Sequence, residues 1–130
     1  GSGILGIAAL LLGAEKVIAV DNDPQALLAT RDNAERNNIA AERISTYLPE
    51  ELPADTVGQT MLANILAAPL IELAPKLTAL TASNGLICLS GLLEHQITAV
   101  SQPYLGNFAF DDPAIETEWA QLAARKTALS

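Results

Sequence analysis

Three polar side chains each stand at the end of a short apolar run: Asp21 after Val17-Ile18-Ala19-Val20, Asn64 after Met61-Leu62-Ala63, and Ser90 after Leu86-Ile87-Cys88-Leu89. Runs of this kind read as buried parallel strands, and α/β sheets bind ligands at the carboxyl ends of such strands. Gly1 and Gly3 form a glycine-rich turn ahead of a helical stripe (Ile4, Ile7, Ala8, Leu11, Leu12) that Gly13 stops, so these glycines read as native rather than as a cloning scar. Glycines there let the backbone approach a ligand closely, and the helix that follows presents free N–H groups to a carboxylate or phosphate. Asp21 lies 18 residues after Gly3, near the roughly 20 at which an acid grips ribose hydroxyls. Helix capping is the competing role for Asp21, but Asp23 already fills it.

Gly1-Ser2-Gly3-Ile4-Leu5-Gly6 also fits G-x-G-x-x-G, so a nicotinamide-dependent oxidoreductase is one reading. Asn64 discriminates. A carboxamide oxygen at a strand end accepts hydrogen bonds from an incoming amine and holds its lone pair in line, a service hydride transfer does not need. A turn or cap is the other role open to Asn64.

The elements that must carry these residues alternate. Lys16–Asp21 is a strand. Asp23 then caps a helix with Pro24 at its first position, with Ala26, Leu27, Ala29, Thr30 and Ala34 facing inward and Asn37-Asn38 at its end. Ile44–Leu48 is the next strand, and Pro49–Asp55 a loop. Thr60–Asn64 is a strand whose start is blurred by Val57-Gly58-Gln59-Thr60. Leu66–Leu80 is helical with a kink or break at Pro75. Ser83-Asn84-Gly85 turns the chain into Leu86–Ser90, Gly91–Ser101 is helical, and Phe108–Phe110 and Trp119–Ala124 are the last strands, joined by the acidic stretch Asp111–Glu118. Alternation at this spacing predicts a three-layer α/β domain with a mainly parallel sheet and an antiparallel finish. Asp21, Asn64, Ser90 and the glycine turn then share one sheet edge.

Composition narrows the chemistry. Seven Lys+Arg against fifteen Asp+Glu give a net charge of −8, which argues against a phosphate backbone as main partner; an acidic surface aids solubility and attracts basic proteins. One cysteine and one histidine supply neither a disulfide framework nor a metal cluster, and fit a reducing, cytoplasmic setting. The longest apolar run, Ile7–Leu12, falls far short of the roughly 20 residues of a membrane span. Cys88 reads as core filler, His95 as a surface residue, and Trp119 and Phe108 as covers for the sheet, with an aromatic lid over the site as the alternative. Ser90 is open to touching substrate or to satisfying backbone groups.

Several blocks together resemble one family. Gly1-Ser2-Gly3-Ile4-Leu5, Val20-Asp21-Asn22-Asp23-Pro24, Asn33-Ala34-Glu35-Arg36-Asn37 and Ala63-Asn64-Ile65-Leu66-Ala67 are similar to class I S-adenosylmethionine-dependent methyltransferases, and more narrowly to the bacterial ribosomal protein L-eleven methyltransferase (PrmA) family. Glu72-Leu73-Ala74-Pro75, Leu89-Ser90-Gly91-Leu92-Leu93 and Glu118-Trp119 extend the likeness through nearly the whole chain.

The resemblance implies a Rossmann-like methyltransferase sheet and one methyltransferase domain over residues 1–130, truncated at its N-terminus. The family's first strand and its separate recognition domain are expected ahead of Gly1. It implies S-adenosylmethionine as cofactor, with Gly1, Ser2 and Gly3 around its methionine part, Asp21 on the ribose, Asn22 beside the adenosine, and Asn64 at the reacting amine. The implied partner is a basic ribosomal protein of the large subunit, methylated on lysine and N-terminal amines, with no direct nucleic acid and no membrane. A sheet without its central first strand is expected to leave two strands unpaired in its middle, so that the chain binds cofactor poorly and is prone to self-associate; a non-catalytic structural or interaction fragment is therefore the alternative function class.

Overall fold

The computed structural model describes residues 16–53, 56–116 and 118–127. The expected glycine turn and first helix, Gly1 to Gly13, lie outside them. β1 (Val17–Asp21) leads into α1 (Pro24–Arg36), then β2 (Ile44–Tyr47) and β3 (Gly58–Asn64). Two short helices follow, α2 (Ala67–Glu72) and α3 (Ala74–Ala79), and a long strand, β4 (Thr81–Leu93). α4 (Ile97–Ser101), β5 (Phe108–Phe110), β6 (Ala114–Glu116) and β7 (Trp119–Lys126) come last among the described residues.

Local chemistry accounts for these boundaries. Asp23 Oδ1 accepts the Gln25 amide at 2.9 Å and Pro24 opens α1, satisfying one of the donors a helix start leaves free. Leu27, Thr30 and Ala34 turn inward from α1, as their spacing predicts. Asn37 closes the helix and Asn38 takes a φ of 58°, the left-handed geometry asparagine tolerates. Pro75 falls in the first turn of α3, so the expected Leu66–Leu80 helix is broken in two.

The sheet order is β2-β1-β3-β4-β7-β5, with β6 paired to β7. β2, β1, β3 and β4 are parallel, and β7 runs antiparallel to β4, β5 and β6. The mainly parallel sheet with an antiparallel finish is therefore present. Both faces of β1 are buried. Ile18 and Val20 pack with Leu70, Leu77 and Tyr104 of the α2–α4 side, and Val17 packs with Ala34, Ile39 and Ile44 on the α1 side.

Three expectations need correction. The middle of the sheet is not left open, because β1 pairs directly with β3 from Val17↔Thr60 to Asp21↔Asn64. Unpaired N–H and C=O groups in a buried sheet are costly, and here two adjacent apolar strands satisfy each other, so β1 and β3 offer no bare middle edges for self-association. The strand at Leu86–Ser90 continues to Leu93 where a helix was expected, because Leu92↔Ala120 and Leu93↔Trp119 pair it to β7; only Ile97–Ser101 is α-helical. Ser83-Asn84-Gly85 lie within β4, where the pairing with β3 shifts register and Asn84 has a φ of 65°. The blurred start of the third strand is resolved as well: β3 begins at Gly58, beside that shift.

Candidate active site

Asp21, Asn64 and Ser90 form one row across three adjacent strands. Asp21 pairs in register with Asn64, and Asn64 with Ser90. In parallel strands equal register means equal height, so the three side chains meet at the carboxyl edge. Asn64 Nδ2 donates to Asp21 Oδ2 at 3.0 Å, and Ser90 Oγ donates to Asn64 Oδ1 at 3.1 Å. Asp21 Oδ1 accepts the Asp23 amide at 2.8 Å. Asp21 is 7 % exposed, and a carboxylate has about four acceptor positions, so its oxygens retain capacity beyond these two bonds.

The row borders a cleft of about 840 Å³. Asn22, Asn64 and Ser90 supply polar lining; Ile65, Leu66, Ile115 and Trp119 supply apolar walls. Leu66, Ile115 and Trp119 are each about half exposed and form an apolar rim to the cleft. Asp21 stands behind Asn64 and is not part of the lining, whereas its neighbour Asn22 is. Gly1, Ser2 and Gly3 lie outside the described residues.

Sequence reasoning misses Ile115 as lining, and it offers Trp119 first as a sheet cover and only second as an aromatic lid over the site. The signal was its position at the start of an antiparallel last strand, which brings it to the edge where parallel strands end. Ser90 turns its hydroxyl to Asn64 rather than to backbone. Cys88 is buried, and burial pushes its thiol pKa up; His95 is exposed. Among the described residues no group of three or more His, Cys, Asp or Glu is placed to hold a metal, and no helix is long and apolar enough to cross a membrane.

Residues 1–127 match the family described as ribosomal protein L11 methyltransferase (PrmA). The chain belongs to this family. A ribosomal protein L11 methyltransferase of Cellvibrio japonicus strain Ueda107 is 56% identical over 126 residues, 97% of this chain. One of Marinobacter nauticus is 52% identical over the same length. The chain spans 42% of the length of each of these relatives. A crystal structure of a ribosomal protein L11 methylase from Lactobacillus delbrueckii subsp. bulgaricus superposes with a TM-score of 0.70 at 31% identity, covering 98% of this chain and 66% of the other. Membership of a methyltransferase family speaks against the nicotinamide-dependent oxidoreductase reading.

Proposed function

We propose that this chain is a methyltransferase domain, residues 1–130, carrying the methyl-transfer site of a protein N-methyltransferase. Its substrates would be lysine and N-terminal amines of the ribosomal protein for which its relatives are named, and its setting the cytoplasm. The observation that carries the reading is the Asp21–Asn64–Ser90 row beside a cleft with an apolar rim. The cleft falls within the ~300–1,000 Å³ of small-molecule sites; its amides and apolar walls suit an adenosine and an incoming amine, and the Asp21 carboxylate stands directly behind Asn64 with acceptor positions to spare.

Asp21 would accept the ribose hydroxyls, Asn22 would lie beside the adenosine, and Gly1, Ser2 and Gly3 would border the methionine end. S-adenosylmethionine, when bound, supplies a methyl group on a positively charged sulfur. The chain's own work is on the amine. A lysine ammonium of ordinary pKa must lose its proton, at about 4.6 kcal/mol at pH 7. Asn64 Oδ1 has a second lone pair besides the one Ser90 uses; it accepts an amine N–H and aims the nitrogen lone pair. Leu66, Ile115 and Trp119 exclude water around the neutral amine, which favours the uncharged form. No dedicated general base is required.

Calorimetric titration of the full-length protein with S-adenosylmethionine and, in parallel, with NAD tests the cofactor: only the first should bind. Asn64→Ala should then reduce turnover far more than cofactor affinity. Equal losses of both would remove Asn64 from the amine.

A further inference from the structure

We infer that Ser90 is a positioning residue for the carboxamide of Asn64, holding its oxygen in the one orientation that can receive an amine. The inference rests on the proposed amine-binding role of Asn64 and adds what fixes that side chain.

An asparagine amide can turn over about its last torsion and exchange oxygen for nitrogen. Here both ends are tied to different chemistry. Asp21 Oδ2 is an acceptor, so the end facing it at 3.0 Å must be the NH₂. Turned over, Oδ1 would face a carboxylate with no proton between them. Ser90 Oγ then donates to the remaining end, Oδ1, at 3.1 Å. Asp21 sets the polarity of the amide and Ser90 pins its oxygen.

The backbone is shaped to make that second bond. Next to Ser90, Gly91 has a φ of +91°, a region costly for any residue with a Cβ. A Cβ at Gly91 would lie 2.5 Å from the Ile65 carbonyl oxygen and 3.2 Å from Asn64 Oδ1. The β4–β7 pairing shifts register between Leu89 and Leu92, a bulge of the kind that re-aims a side chain near a site. The Ile65 amide donates to the Ser90 carbonyl at 3.2 Å, tying the two strand ends together on the other side.

Kinetics on the full-length protein, with the ribosomal protein and S-adenosylmethionine as substrates, test the inference. Ser90→Ala should lower kcat roughly three- to tenfold, the worth of one hydrogen bond, with calorimetric affinity for S-adenosylmethionine unchanged. Ser90→Thr, which keeps the hydroxyl, should restore kcat. In an Asn64→Ala background, Ser90→Ala should cause no further loss, because residues acting through one another are not additive. Additive losses, or failure of Ser90→Thr to restore turnover, overturn the inference. A deep loss with Asn64→Ala and none with Ser90→Ala overturns it alone; full turnover with Asn64→Ala overturns the amine-binding reading along with it.

Discussion

Asn64 Nδ2 donates to Asp21 Oδ2 at 3.0 Å across the β1–β3 pair, so the side chain proposed to meet the amine is hydrogen-bonded to the one proposed to meet the cofactor. The contact exists because β1 and β3 are immediate neighbours with their last residues in register.

Asn64→Asp would replace this bond by two facing carboxylates, which cannot both ionise cheaply. The folded pair then keeps a proton that the unfolded chain has released, so the variant loses stability as pH rises above the ordinary carboxylate range. Urea unfolding should show wild type and variant close at about pH 3.5 and the variant weaker by about 2 kcal/mol at pH 8. A deficit of equal size at both pH values would show that the two side chains do not meet.

Gly91→Ala should destabilise the fold by about 2–4 kcal/mol, combining a positive φ with a Cβ against the Ile65 carbonyl. Gly106, where an added Cβ meets nothing within 4 Å, is the control: Gly106→Ala should change stability by under about 0.5 kcal/mol. Chemical denaturation of both variants checks the contrast.

Tyr104 is fully buried, donates to the Leu70 carbonyl at 2.6 Å and packs edge-on to Phe108. Burial raises its hydroxyl pKa well above the ordinary value. The folded state thus holds a proton that the unfolded chain loses above about pH 10, and stability falls as pH rises past that point. Tyr104→Phe should cost about 1–2 kcal/mol at pH 8, by leaving the Leu70 carbonyl unpaired, and should lack this alkaline fall. Urea unfolding between pH 8 and 11 separates the two effects.

Trp119 is the one tryptophan of the chain, half exposed and lining the cleft. Ligand entering the cleft should shift its emission to shorter wavelength in a saturable way. Binding seen by calorimetry with no change in emission would place the ligand elsewhere.

The sequence legibly set out what local chemistry decides. Asp23-Pro24 announces the start of α1, Pro75 the break between α2 and α3, and the apolar runs ending in Asp21, Asn64 and Ser90 the strands and their shared edge. What it hid was non-local. Gly91 reads as a helix boundary, yet β4 continues because β7 is there to pair with Leu92 and Leu93. Ala114–Glu116 looks like part of an acidic connection and becomes a strand only against β7. The bond between Asn64 and Asp21 depends on which strands are neighbours, and neither strand's own sequence states that.

Since β7 enters the sheet against the direction of β4, its first residue arrives where the parallel strands finish, and Trp119 pairs with Leu93 just beyond Ser90 and Gly91. One wall of the cleft is thus contributed by a residue 55 positions after Asn64. During synthesis the pocket beside Asp21, Asn64 and Ser90 has no far side until β7 docks. A nascent chain halted before that strand would lack both the pairing that shapes the backbone around Ser90 and any place to shelter an amine from water.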